Sequence, residues 1–484
     1  MTTTEDVTAA PRRRAPGATR VAARSRATIA APYLLSIAFA AAYATLSLAR
    51  LHRLETRSWD VAIFEQAISG YAHFGAPIVD VKGPGFNLLG DHFSPLLVVF
   101  APFYRLFPGP ATLLVGQALL VGLSVAVIAR VAVRHLGAAA GLAVGVAYGL
   151  SWGIQSAVNF DFHEVCLAVP LLALAGEAYL DRRWGRVAIW SALLLIVKED
   201  MGVTVAALGV CLLLIGIRRW GLALVAGGAT AFVLTVAVVI PTLNPDGSYD
   251  YWTKFGGGEV GTPLLERLLS LPTQLLTPST KVETMLLALA ITGFIALWSP
   301  FVLLAVPTLT WRFLGDNPYY WVTDWHYSLT LMPILFIALV DGVIRARRSR
   351  WRWLRAYAMH VPAVATAVAL VLCLQFPFRD LVRSQTYDAS PRAEAAHDVL
   401  ALVPEGASVE TDIGLITQLA ADRTVYWIGN DNAGVTPDYV LIDTAAGWSS
   451  AAPDAARLAE QRHPGERYRE VFDSGGYRLA RLVS

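Results

Sequence analysis

Charged residues are scarce in this sequence. Only 16% of the 484 residues are Asp, Glu, Lys or Arg, whereas 55% are hydrophobic, and the mean hydropathy is +0.50. A soluble domain carries roughly 25% charged residues. The composition therefore excludes an ordinary soluble protein and predicts an integral membrane protein. The formal net charge of +2 gives no sign of a nucleic-acid partner.

Cysteine is nearly absent as well. The three cysteines, Cys166, Cys211 and Cys373, are far apart and lie within apolar segments. Such residues are typical of small buried hydrophobic positions rather than of a disulfide set or a metal site. Lysine is also rare, because only four of the 39 basic residues are Lys.

The distribution of arginine predicts how the chain crosses the membrane. Residues 1–28 are polar and rich in Arg, which predicts a disordered tail held on the cytoplasmic side. Residues 29–374 contain apolar segments for about eleven bilayer-spanning helices. Nearly every Arg cluster beside a span then falls inside. A long loop over residues 50–110 and a loop with a glycine run at 256–258 fall outside.

The last part of the chain has a different composition. Within residues 375–484 charge rises, apolar runs shorten, and short strand and helix patterns alternate up to a hairpin around Gly475 and Gly476. This alternation predicts a small α/β domain. An odd number of spans from a cytoplasmic N-terminus places it outside the cell. We therefore expect an α-helical multi-pass protein of the cell membrane with an extracytoplasmic α/β domain.

The first outer loop contains the first candidate for chemistry. It is much longer than a connection between two spans requires, and long connections with their own helical pattern are usually functional. Asp60 would lie in the first turn of a helix, beside the membrane boundary. One interpretation is a catalytic carboxylate. The other is a carboxylate that stabilises a helix N-terminus, and spacing alone does not separate the two.

Two further groups pair acids with imidazoles. Asp91 and His92 precede a Pro-containing helix, and Asp161, His163 and Glu164 end a predicted span on the outer side. These residue types could bind a substrate or ligate a divalent metal such as Mg²⁺ or Mn²⁺, but no spacing here requires a metal. The alternative for the first group is a helix cap.

A charged triplet interrupts the apolar segment 187–217. Arg clusters stand at both ends of this segment, which predicts a hairpin of two short helices with Lys198, Glu199 and Asp200 at a recessed outer turn. Charges at such depth point to function. We expect Lys198 to hold a phosphate while Glu199 orients it. The alternative is an ion pair of Lys198 with its neighbour Glu199 or Asp200.

An aromatic outer loop contains the last candidates. Arg312, Asp324 and His326 lie among several Trp and Tyr residues. The aromatic side chains could form an interfacial belt. Alternatively they could form a platform for a sugar, with Arg312 as a phosphate ligand.

Four motifs carry a resemblance. They are Trp-Asp-x-Ala-Ile-Phe-x-Gln at 59–66, Asp-His-Phe-Ser-Pro at 91–95, Phe-His-Glu at 162–164 and Lys-Glu-Asp at 198–200. They resemble a family of prokaryotic multi-pass membrane proteins that carries a domain-of-unknown-function label. The order of tail, span, long outer loop with an early Asp, and following helix resembles the GT-C superfamily of membrane glycosyltransferases, such as protein O-mannosyltransferases and aminoarabinose transferases.

The resemblance implies a transferase that takes a sugar from a polyprenyl-phosphate donor to an envelope glycan or protein on the outer face. It implies that Asp60 acts as the base or orients the acceptor, and that Asp91 and His92 correspond to the pair before the following helix. Aminoarabinose-type enzymes have Lys where this chain has His92. Phosphate contact would therefore pass to Lys198 or Arg312.

Two other functions compete with the transferase. One is a transporter or flippase of lipid-linked sugar intermediates that performs no chemistry. It would place charged residues through the full membrane depth, whereas the acids and histidines of this chain fall on the outer side. The other is an inactive scaffold whose α/β domain binds a cell-wall polymer.

Overall fold

The structure is a computed structural model that describes residues 17–56, 59–251, 264–448 and 451–483. Helices form most of the chain up to residue 372, and a five-stranded sheet follows near the C-terminus. The predicted glycine run at 256–258 lies outside the described residues, as does the tail before Gly17.

Most helices of the bundle are joined by short turns, several of them 3-10 helical, whereas a longer connection over residues 73–100 separates α2 from α3. Those of the first half are α1 (Gly17–His52), α2 (Trp59–Ala72), α3 (Ala101–Leu106), α4 (Pro110–Leu136), α5 (Ala138–Gly149), α6 (Trp152–Asn159), α7 (Ala168–Leu180), α8 (Trp184–Leu194), α9 (Met201–Leu214), α10 (Arg218–Leu234) and α11 (Ile240–Leu243). The second half adds α12 (Leu264–Leu276), α13 (Ser279–Ala290), α14 (Ala305–Leu314), α15 (Leu331–Arg347) and α16 (Arg352–Leu372).

The long helices account for part of the predicted crossings. Within the described ranges, five helices are long and apolar enough to cross a membrane, namely Arg26–His52, Pro110–Leu136, Arg218–Leu243, His326–Arg347 and Arg352–Leu372. Other predicted crossings consist of two shorter helices, such as α5 and α6, which are separated at Leu150 and Ser151. The count of about eleven spans therefore stays a prediction.

Helix α1 begins earlier than predicted. It starts at Gly17, inside the segment that was expected to be a disordered tail through residue 28. The sequence from this point is rich in Ala and Arg, and both residues have high helix propensity. The structure thus describes a helix from Gly17 onward, and the division of the chain after residue 28 stays a prediction.

The centre of the bundle is α15, which is almost wholly buried and packs against α4, α7 and α16. Helix α4 also packs along α1, where Gly122 lies against Ala40 and the Ser36 hydroxyl donates to the Gly122 carbonyl at 2.7 Å. Small residues allow such close approach of membrane helices. Close packing fixes the helix ends that form the candidate site.

The two short helices predicted around the charged triplet are present. Helices α8 and α9 follow each other in sequence, and Lys198, Glu199 and Asp200 lie in the turn between them. The amide of Leu96, which follows the Asp-His-Phe-Ser-Pro motif, donates to the carbonyl of Ile196 at 3.0 Å. This contact brings the first outer loop onto the charged turn.

The C-terminal domain has the predicted α/β character. Its helices are α17 (Ala393–Ala401), α18 (Ile416–Leu419) and α19 (Ala455–Arg462), and its strands are β1 (Ser408–Thr411), β2 (Thr424–Trp427), β3 (Tyr439–Asp443), β4 (Tyr468–Ser474) and β5 (Tyr477–Leu482). The strand order is β2-β1-β3-β5-β4. Strands β1, β2 and β3 run parallel, and β5 pairs antiparallel with β3 and β4.

The hairpin between β4 and β5 turns at Gly475 and Gly476, whose φ angles are 57° and 83°. Glycine adopts positive φ without steric cost, which explains why this pair marks the turn. The predicted hairpin is thus confirmed.

The C-terminal domain rests on the first outer loop. Trp427 of β2 lies against Trp59, with ring centroids 4.8 Å apart. The side-chain amide of Asn430 donates to the carbonyl of Val81 at 2.7 Å, and that of Gln66 donates to the carbonyl of Val425 at 3.2 Å. The sheet domain therefore lies at the same end of the bundle as α2.

Candidate functional site

Asp60 lies in the first turn of α2, as predicted. The next residues of this helix, Val61 to Phe64, are buried, so they anchor it against the bundle. The carboxylate of Asp60 stays 26% exposed, and its Oδ2 lies 3.8 Å from Nε2 of His163. The acid is thus held by an anchored helix but remains within reach of water.

A buried glutamine positions His163. The Gln117 side chain on α4 donates from Nε2 to the Asp161 carbonyl at 2.6 Å and accepts from the His163 amide at 3.1 Å. Asp161 has a φ of 68°, so the backbone turns sharply here. The His163 ring then stacks on that of His326, with centroids 3.4 Å apart. The turns that carry His163 and His326, which are far apart in sequence, therefore meet beside Asp60.

The charged turn supplies the next contacts. The Lys198 ammonium donates to Oε1 of Glu164 at 2.7 Å, while Oε2 of Glu164 lies 3.6 Å from Nδ1 of His163. Lys198 is therefore paired across helices rather than with Glu199 or Asp200, its neighbours in the triplet. The pairing joins the turn after α8 to the 3-10 turn Glu164–Leu167 that precedes α7.

Glu199 holds the first outer loop. Its Oε1 lies 2.8 Å from Nδ1 of His92, and its Oε2 accepts from the Phe93 amide at 3.1 Å. The other ring nitrogen of His92 lies 2.8 Å from the Tyr251 hydroxyl. Burial and the charge of Lys198 lower the pKa of His92, but the carboxylates of Glu199 and Asp91 outweigh them. The pKa of His92 is therefore raised above its ordinary value.

Asp91 pairs with a lysine of its own loop. Its Oδ2 lies 2.5 Å from the Lys82 ammonium, which also lies 5.7 Å above the ring of Trp59. Burial raises the pKa of the Asp91 carboxyl, but the nearby positive charges of His92 and Lys82 lower it below its ordinary value. Asp91 is thus ionised. The ammonium of Lys82 also lies close to Trp59, the residue before Asp60.

Asp161 lies at the back of the site. Burial raises the pKa of its carboxyl to about 6, although the charge of Arg50 opposes the rise. The two side chains are 3.7 Å apart between Oδ1 and Nε. Asp161 supports the turn that carries His163 rather than lining the space beside Asp60.

Arg312 and Asp324 do not join the cluster of contacts around Asp60. Arg312 is fully buried and donates to the carbonyls of Tyr320 and Val322, at 2.7 and 3.0 Å, and to the Ser328 hydroxyl at 3.0 Å. It therefore braces the aromatic loop that carries His326. Asp324 is exposed on that loop and forms no ion pair within the described ranges. Their predicted substrate contacts stay predictions without support from the geometry.

Several polar atoms in the cluster have no hydrogen-bond partner in the part of the chain that the structure describes. They are His163 Nε2, Glu164 Oε2 and His326 Nδ1. Buried polar groups are nearly always satisfied. Three such atoms around one place indicate a surface that a polar ligand can complete.

The structure therefore brings together Asp60, Asp91, His92, His163, Glu164, Lys198, Glu199 and His326, with Asp161 behind them. The sequence reading missed Gln117, Lys82 and Trp427 as site residues. Gln117 could have been found from the sequence, because it is a polar residue inside an apolar span and such residues are by default functional candidates. No pattern in the sequence marks Trp427, because only the folding of the sheet domain brings it next to Trp59.

No three His, Cys, Asp or Glu side chains among the described residues are grouped so that they could hold one metal ion. The possible binding of Mg²⁺ or Mn²⁺ stays a prediction.

A family model described as "Predicted membrane protein (DUF2079)" matches residues 50–479. The chain belongs to this family. The match covers the bundle from the end of α1 and nearly all of the sheet domain, so this DUF2079 protein carries both parts as one family unit. The predicted family is thereby confirmed. A search of curated proteins finds no match.

The fold of this DUF2079 protein is similar to that of a solved structure. ArnT from Cupriavidus metallidurans bound to undecaprenyl phosphate matches with a TM-score of 0.55 and 13% identity, over 92% of this chain and 97% of that chain. The apo state of the same ArnT gives a TM-score of 0.47 at 13% identity, over 90% and 96%. The first match shows a GT-C-like fold, so the predicted fold class is confirmed.

Proposed function

We propose that this DUF2079 protein is a membrane glycosyltransferase that moves a sugar from a polyprenyl-phosphate donor to a glycan or protein of the cell envelope, on the outer face. The observation that carries the proposal is the position of Asp60. It is a partly exposed carboxylate beside a buried cluster of imidazoles and a lysine, in which several polar atoms are unsatisfied. The fold of ArnT, which was solved with undecaprenyl phosphate bound, supports a lipid-linked donor.

The proposed reaction is a single displacement. An acceptor hydroxyl attacks the anomeric carbon of the donor sugar, and the bond between that carbon and the phosphate oxygen breaks. Asp60 takes the hydroxyl proton, and the phosphate leaves with the bonding electron pair. A single displacement inverts the anomeric centre, so no second nucleophilic carboxylate is needed.

Charge at the departing phosphate must be compensated. Lys198 and Lys82 are the cations of the site, and each is held by one carboxylate at a side-chain exposure of about 15%. Cations fixed in advance in a site with little water stabilise developing charge strongly. Because Glu164 and Asp91 hold the two lysines in place, neither must be immobilised when the donor arrives.

The donor has an apolar route to the site. The segment just after Asp91 and His92 presents exposed apolar side chains, including Phe103, Leu106 and Phe107, which are 59%, 72% and 69% exposed. A protein rarely leaves such residues to water in a contiguous group. They would lie in lipid, where the polyprenyl tail resides, while the open side of Asp60 admits a water-borne acceptor.

The experiment compares envelope glycans from cells that lack the protein and carry the wild type, Asp60→Asn or Asp388→Asn. Asp388 is an exposed acid outside the site and serves as the matched control. Mass analysis should show one glycan modification restored by the wild type and by the control but not by Asp60→Asn. Full restoration by Asp60→Asn, at equal protein level, would favour the transporter or flippase instead.

A further inference from the structure

A cavity lies at the end of the bundle opposite the candidate site. It has a volume of about 370 Å³ and lies among α1, α4, α7 and α8. Its charged lining residues include Arg130 and Arg134 on α4, whereas Gln117 on the same helix contacts the candidate site. Arg130 is thus roughly 20 Å from Gln117 along the helix axis, by the rise per residue. The two places cannot share one small ligand.

Two of the arginines in this cavity are held by acids. Arg130 donates to both carboxylate oxygens of Glu177, and Arg134 donates to Glu177 at 2.7 Å and to Asp181 at 3.3 Å. Asp181 also lies 3.5 Å from Nε2 of His135. These contacts explain why the two acids are present. They also fix the arginine side chains in the cavity wall.

Two further arginines are in excess. Arg183 and Arg186 line the same cavity, are exposed, and form no ion pair within the described residues. Four arginines therefore face two carboxylates, which leaves a positive cavity that is only partly neutralised. Arginine binds phosphate oxygens through its planar fork of donors. The cavity is suited to a group with at least one negative phosphate.

The remaining lining residues indicate what kind of molecule would carry that phosphate. Tyr33, Leu174 and Trp190 complete the wall. On α1 the neighbouring residues Leu34 and Ile37 are 65% and 66% exposed, and Ile189 on α8 is 60% exposed. In a membrane protein we expect such exposed apolar side chains to face lipid, so a lipid headgroup beside them would be next to the cavity. Tyr and Trp beside arginine are typical of the interface between lipid tails and headgroups.

We infer that this cavity binds the phosphate headgroup of an anionic membrane lipid, in the leaflet opposite the candidate site. Basic pockets between helices on the cytoplasmic side bind anionic headgroups in other membrane proteins. Arg183 and Arg186 contact the headgroup, the pairs with Glu177 and Asp181 orient the deeper arginines, and Trp190 and Tyr33 flank the first carbons of the acyl chains. The site does not depend on the proposed transferase activity.

The test uses the full-length protein in detergent, titrated with dioleoylphosphatidylglycerol or dioleoylphosphatidylcholine, with bound lipid counted by native mass spectrometry. A basic residue near an anionic lipid contributes about 1 kcal/mol, which is about a fivefold change in affinity. Arg183→Gln/Arg186→Gln should therefore weaken phosphatidylglycerol binding about 30-fold. Arg218→Gln/Arg347→Gln removes two exposed arginines outside the cavity and should leave binding unchanged.

Two further measurements test whether the bound ligand is a lipid held in this cavity rather than a free phosphate ion. Leu174→Trp keeps all the arginines but fills the cavity, and it should also abolish selective binding. Sodium phosphate in large excess should not displace phosphatidylglycerol. Equal binding of the two lipids, equal loss in both double variants, or displacement by inorganic phosphate would each overturn the inference.

Discussion

Replacing Lys198 with Gln removes one partner of a buried ion pair at the centre of the candidate site. Its ammonium lies 2.7 Å from Glu164, whose side chain is only 1% exposed. Without Lys198, the imidazole of His163 is the one basic side chain among the described residues that remains within 4 Å of the Glu164 carboxylate, at 3.6 Å between Nδ1 and Oε2. We expect Lys198→Gln to lower the free energy of unfolding by about 3 kcal/mol, the lower end of the cost of breaking a buried pair.

The second variant tests the reason for that loss. Glu164→Gln in the Lys198→Gln background removes the uncompensated charge and should restore about 2 kcal/mol, as neighbouring residues couple by about 0.5–3 kcal/mol. The control is Lys281→Gln. Lys281 is also buried, but it donates to the carbonyls of Gln274 and Phe313, both at 2.7 Å. Its loss breaks no ion pair within 4 Å among the described residues, and Glu164→Gln should not rescue it.

Unfolding midpoints in detergent micelles measure these stabilities, and the glycan assay measures activity on the same wild type and four variants. Stability should recover in the double variant, whereas activity should not, because the phosphate has lost its cation. The reasoning is refuted if Lys198→Gln unfolds like the wild type, or if Glu164→Gln rescues Lys281→Gln equally well.

Three other predictions follow from single contacts. Burial raises the pKa of Glu65 to about 8, and the Tyr104 hydroxyl donates to it at 3.0 Å. Because this pKa lies above the unfolded value, the wild type should lose stability relative to Glu65→Gln as pH rises from about 5 to 8, by up to about 1.4 kcal/mol per pH unit in unfolding midpoints. Trp427→Ala should expose the linker after α16 to limited proteolysis, whereas Trp351→Ala, at an exposed tryptophan outside this interface, should not. Arg312→Lys should destabilise the protein by about 2 kcal/mol in thermal unfolding and reduce activity, because Lys cannot replace the planar fork.

The sequence predicted the elements whose local signals are strong. The glycine pair and the alternating strands located β4 and β5, and the pattern after Trp59 located α2. The break between α5 and α6 was missed because a side chain takes the place of a helical backbone donor there. The Gln155 side chain donates to the freed carbonyl of Leu150 at 2.6 Å, and hydropathy does not record such a partner.

The residue types of the site were also predictable, but their partners were not. Intramembrane charges are costly, so the sequence marked Lys198 and Glu199 as functional candidates. The alternative from the sequence was a local ion pair of Lys198 with Glu199 or Asp200. The structure instead pairs Lys198 with Glu164 and Glu199 with His92, because helix packing brings three turns of the bundle together. In the sequence, the additional arginines of the opposite cavity, Arg183 and Arg186, indicated only which side of the membrane this part of the chain faces.

The most direct test of the proposed transferase follows the donor rather than the sugar. Purified protein is incubated with a polyprenyl-phosphate-sugar fraction and an envelope extract, and the released polyprenyl phosphate is quantified by mass spectrometry. The wild type and Asp388→Asn should convert donor to free polyprenyl phosphate, and Asp60→Asn should release none above background. Release by Asp60→Asn at the wild-type rate would contradict the assignment of Asp60 as the catalytic base.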